Sequence, residues 1–101
     1  MEVTIVEVTG ETDDYMVEGY IDLSGLQSGD SIIIYEYIAV DGENYRLFLN
    51  VTIQGPVSEP VQRFHTKTLL YNMKYKVAIK QTSGTVRSFQ YKFIKEVLGT
   101  A

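Results

Sequence analysis

His65 is the one imidazole in the chain and the one side chain whose ordinary pKa lies near neutrality, so general acid-base chemistry would start there. Alternation along Val61-Gln62-Arg63-Phe64-His65 sets Val61, Arg63 and His65 opposite Gln62 and Phe64. A catalytic imidazole needs a nucleophile and an orienting acid beside it, and the nearest acid in sequence is Glu59, beyond Pro60. An exposed or structural histidine is the reading these neighbours favour. The chain has no Cys, which removes thiolate nucleophiles, disulfides and thiolate zinc sites together.

Carboxylates are the remaining chemistry. Glu11, Asp13 and Asp14 form an acidic turn that could offer hard oxygen ligands to Ca²⁺, but the spacing is not that of a calcium loop. The turn would need Asp41 and Glu43 to converge on it to reach six to eight ligands, so a solvated turn is the simpler reading. Asp22 and Asp30 flank the Gly25/Gly29 loop, where carboxylates accept backbone N–H bonds. Any two acids could be drawn as a glycosidase pair, and nothing in the spacing selects one. Gly25, Gly29, Gly42 and Gly84 are isolated turn glycines without a phosphate-loop Lys or a dinucleotide fingerprint. No catalytic residue, metal site or cofactor is expected, and the chain reads as a protein that is not an enzyme.

Binding surfaces come next. Lys74, Lys76 and Lys80, with Arg87, Lys92 and Arg63, could follow a phosphate backbone, while Tyr35, Tyr37, Phe48 or Tyr91 could stack on bases. The sequence pI near 4.8 opposes a polyanion at long range, and alternating Lys on a strand is first an edge-protection device. Nucleic acid is not an expected partner. Tyr20, Tyr37 and Phe48 are expected to face outward, where flat rings stack on sugars or seed a protein interface. Asn50-Val51-Thr52 matches a glycosylation sequon inside a strand run, with no export signal to go with it.

The elements that must position these residues are strands. Of 101 residues, 29 are Val, Ile or Thr, against seven Leu and three Ala, a balance that disfavours a helical bundle. A chain of this length is read as a single domain spanning residues 1–101. Its longest apolar run is too short to cross a bilayer, and Met1-Glu2-Val3-Thr4-Ile5 carries no signal-peptide pattern. A soluble chain without membrane insertion is expected.

Strands are expected at Val3 to Val8, at Tyr15 to Asp22 and, centrally, at Ser31 to Val40, with Leu23 or Leu26 plugging one end of the core. Asp41-Gly42 predicts a hairpin to Asn44–Ile53, with Tyr45, Leu47, Leu49, Val51 and Ile53 opposite Arg46, Phe48, Asn50 and Thr52. Gln54 to Pro60 crosses between sheets. A short strand Val61–His65 follows, then a turn or irregular edge over Thr66 to Leu70, and then Tyr71–Lys80. The last strand, Val86–Val97, should pack Phe89, Tyr91 and Phe93 against Tyr75, Val77 and Ile79. Seven or eight such strands predict a small antiparallel β-sandwich, immunoglobulin-like in count and alternation, with a compact jelly roll second.

Charge divides along the chain. Residues 1 to 50 hold eleven acids against Arg46, a balance of -10, and residues 51 to 101 hold eight bases against Glu59 and Glu96, a balance of +6. Interleaved strands would pair these charges within one molecule. The alternative joins copies, bringing Glu11, Asp13, Asp14, Glu18, Glu36, Asp41 and Glu43 toward Lys74, Lys76, Lys80, Arg87 and Lys92 of a neighbour. Candidate interface residues are therefore Tyr37, Phe48, Glu36, Lys74, Lys76 and Lys80. The function class this favours is a structural subunit of a homo-oligomeric assembly, such as a virion, filament or surface layer, or a contact with a partner protein. The alternative is a carbohydrate- or peptide-binding adaptor module.

Overall fold

The computed structural model describes residues 2–9 and 12–98. They form seven strands: β1 (Glu2–Val8), β2 (Tyr15–Asp22), β3 (Ser31–Ala39), β4 (Arg46–Gln54), β5 (Val61–Leu69), β6 (Lys74–Ser83) and β7 (Gln90–Val97). A four-stranded sheet runs β1-β6-β3-β4 and a three-stranded sheet runs β5-β2-β7, with every pairing antiparallel. The two sheets stack as a β-sandwich.

β2, β3 and β6 are the inner strands of the two sheets and supply most of the buried apolar residues. Tyr15, Val17 and Ile21 of β2, Ile32 and Ile34 of β3, and Tyr75 and Val77 of β6 are buried in one cluster with Phe64 and Leu69 of β5. Each fully buried Val or Ile contributes on the order of 1.5–3 kcal/mol relative to exposure. Both Leu23 and Leu26 plug the end of this core. Tyr15 satisfies its hydroxyl by donating to the Met73 carbonyl at 2.8 Å.

The hairpin between β3 and β4 turns at Asp41-Gly42, although its loop is longer than two residues. Ile38 faces Arg46, and Gly42, at φ +79°, donates its N–H to the Ala39 carbonyl at 3.2 Å. Asp41 accepts the N–H groups of Glu43 and Asn44 at 2.9 and 2.8 Å, which rounds off the loop.

Three strand expectations change. The segment Thr66 to Leu69 continues β5 instead of turning, the chain turns at Tyr71-Asn72 before β6, and β7 begins only at Gln90. Phe89 and Phe93 pack on the core, but Tyr91 stays 40% exposed. β4 differs most: it is an edge strand, and Leu47, Phe48, Leu49 and Val51 on it are about half exposed.

Candidate functional site

The best-formed polar cluster lies inside the sandwich. Glu36 of β3 shares the inward face with Ile32 and Ile34 and is only 3% exposed. Its Oε1 accepts the Tyr75 hydroxyl at 2.5 Å and lies 2.7 Å from the Lys67 ammonium, which comes from β5 in the opposite sheet. The Phe48 and Tyr75 rings each stand 5.5 Å from Lys67 Nζ. Burial, then the Glu36 carboxylate, raise the Tyr75 hydroxyl far above its usual range. Glu36 therefore leaves the outward acidic patch expected of it, since alternation sets it inward and Lys67 meets it there.

Asp30 makes a second buried junction. Its carboxylate takes Arg87 Nε at 2.8 Å, the Gln27 N–H at 2.9 Å and the Thr85 N–H at 3.0 Å. These partners, Arg87 first, hold it down at about 2. The junction fastens the 23–30 crossing to the segment leading into β7, so Arg87 is engaged within the molecule.

On the outer face of the four-stranded sheet, Glu2 of β1 is directly opposite Lys80 of β6, and Glu7 opposite Lys76. Tyr37 donates to Glu2 and Tyr45 to Glu7, each at 2.8 Å, and Lys76 Nζ sits 5.0 Å from the Tyr37 ring and 4.5 Å from the Tyr45 ring. Tyr35 stacks on Tyr37 at 6.0 Å. Desolvation, then Glu2, push the Tyr37 hydroxyl up to about 12. Of the expected interface residues, this face gathers Tyr37, Lys76 and Lys80. Phe48 is on β4, Lys74 opens β6, and Glu36 is inside.

His65 is exposed on β5, and no ion pair among the described residues involves it. Asp14 accepts the Tyr71 N–H at 3.0 Å, while Glu11 falls outside the described residues. Among the described residues no group of three or more His, Cys, Asp or Glu side chains converges as a metal site. A cleft of about 600 Å³ between β1, β6 and the 84–91 segment is lined by Val3, Ile5, Ile79, Val86, Phe89 and Tyr91. Its one charged group, Arg87, already serves Asp30.

No family model, curated protein or solved structure matches the chain.

The four sheet edges are unequal. β1 carries Glu2, Glu7 and a register shift between Thr4 and Val6. β5 carries Arg63, His65 and Lys67, with a shift between its Phe64 and Lys67 pairings. β7 carries Lys92, Lys95 and Glu96. Charges and bulges of this kind block pairing with a foreign strand. β4 is different: from Leu49 to Gln54 it runs in unbroken register against β3, with no charge, proline or glycine. Leu47, Phe48, Leu49 and Val51 are 53, 55, 49 and 46% exposed. Sequence patterning set Leu47, Leu49, Val51 and Ile53 on one face; the register shift that leaves Phe48 as an extra residue interrupts that row between Leu47 and Leu49.

Proposed function

We propose that this protein is a non-enzymatic structural subunit that assembles with copies of itself, and that β4 supplies the contact. One observation carries the reading: among the described residues, Leu49–Gln54 of β4 is the edge run that has no charge, bulge, proline or glycine, and its Leu49 and Val51 are about half exposed. An edge of this composition is a template for strand pairing, and burying its side chains supplies the free energy. Phe48, expected at the contact centre from sequence, belongs to this strand. The split charge has a smaller part, because Glu18, Asp30 and Glu36 are each paired with a base of the same molecule.

The immunoglobulin-like reading draws on pairing. β2–β5 in one sheet and β3–β6 in the other reproduce the B–E and C–F pairs of that architecture, with the first and last strands exchanged between sheets. Assemblies such as virions or surface layers are the setting we propose for such a module.

The test is sedimentation velocity over a range of protein concentrations at about 0.05 and 0.5 M salt, where screening differs strongly. Association at both salts supports the proposal. A monomer at every concentration and salt refutes it. A glycan- or peptide-binding reading rests on the Tyr35, Tyr37 and Tyr45 rings around Lys76, and ring-dependent binding by a monomeric protein would favour it instead.

A further inference from the structure

We propose that the occupant of the β4 edge is the β4 of a second copy, paired antiparallel about a two-fold axis at Val51, so that two four-stranded sheets join into one of eight. The inference rests on the assembly reading and specifies its partner and register.

Two observations point to a second copy. β1, β5 and β7 carry charges along their lengths, whereas β4, past Arg46 and the register shift at Phe48, offers the uncharged and regular run Leu49–Gln54, the one such edge run among the described residues. The segment is self-compatible in charge, since the only ionic group of β4 is Arg46. Antiparallel pairing centred on Val51 sends the two Arg46 side chains to opposite ends of the joint, away from each other.

Pleating restricts the registers to those that set like faces together, and the one centred on Val51 pairs all three inner apolar residues of the run. Leu49, Val51 and Ile53 line the inner face beside Ile34 and Phe64. Residues directly opposite in an antiparallel pair share a face. With Val51 on the axis, Leu49 meets the partner's Ile53, Val51 meets the partner's Val51, and Asn50 meets the partner's Thr52. The apolar row faces apolar row and the polar row faces polar row. Moving one copy by a single residue would set Val51 against Thr52, which point to opposite faces, so that register is excluded. The joint is isologous and closes at two copies; larger assemblies would need a different second contact.

The chain has no Cys, so single-cysteine variants report position cleanly. Val51→Cys and Val86→Cys are oxidised under dilute conditions, and the masses of the unmodified protein and of Val51→Lys are compared by light scattering. Val51 sits on the axis, whereas Val86 is 81% exposed beside the distant β1/β7 cleft. Disulfide-linked dimer from Val51→Cys alone, with a twofold fall in mass for Val51→Lys, is the expected result. Should Val51→Lys fail to fold, the cysteine pair still decides, because it leaves strand and charge intact. An associated parent whose Val51→Cys does not cross-link overturns the two-fold joint and leaves assembly by another surface standing. A parent monomeric at all concentrations overturns both. A monomer that instead takes up an unrelated extended peptide along β4 overturns the second copy as occupant.

Discussion

Lys67 of β5 and Glu36 of β3 meet across the two sheets, ammonium to carboxylate at 2.7 Å, with both side chains almost wholly buried. Two further ion pairs form, a more exposed one between Arg63 and Glu18 on neighbouring strands of one sheet and one between Arg87 and buried Asp30. In each pair an acid from residues 1 to 50 meets a base from residues 51 to 101. Much of the charge division along the chain is thus taken up by strand interleaving, so apolar edge burial dominates the proposed self-association.

Removing one member of the buried pair leaves the other uncompensated. Lys67→Met should cost about 3–5 kcal/mol, and adding Glu36→Gln should return much of that loss, because a neutral pair no longer strands a charge. Denaturant unfolding of the two single variants and the double variant measures this coupling. Additive losses would contradict it.

Acid should act through Asp30. Its folded pKa, about 2, lies below the ordinary 3.8, so its contribution to stability is present above the higher value and fades as pH falls through the lower. Asp30→Asn should be less stable than the parent at neutral pH and converge toward it near pH 2. Unfolding midpoints measured across that range check the sign.

The aromatic residues of β7 should separate by position. Phe93 packs on Phe64 with ring centroids 4.8 Å apart, so Phe93→Ala should cost about 3 kcal/mol, while half-exposed Tyr91→Ala should cost under about 1. A Cβ added at Gly19 would fall well inside contact distance of the Phe93 ring, so Gly19→Ala should also destabilise, by about 1–3 kcal/mol. Equal losses for Phe93→Ala and Tyr91→Ala would contradict this division.

What was legible in the sequence follows the period of two. β2 and β6 alternate in sequence, β3 is apolar on both faces as a central strand is, the inward residues of all three form the core, and the Asp41-Gly42 pair marks the hairpin between β3 and β4. The sequence suggests a strand ending at His65 because the alternation of β5 is interrupted: Gly19 pairs with Phe64, but Val17 pairs with Lys67, so an extra residue shifts the inward positions to Phe64, Lys67 and Leu69. A spacing of three hides a strand from a period-two reading, and with it the cation that meets Glu36. At β4 the same patterning named the apolar residues but not their exposure, which goes with the strand's place at the edge of its sheet.

The central claim is that copies meet along β4, and amide hydrogen exchange as a function of protein concentration tests it most directly. At an unpaired edge, alternate backbone N–H groups face solvent and exchange readily. The account predicts that protection over Leu49–Gln54 rises with protein concentration, while the free edges of β1, β5 and β7 stay unchanged. Exchange along β4 that is rapid and independent of concentration, matching the other three edges, would contradict it.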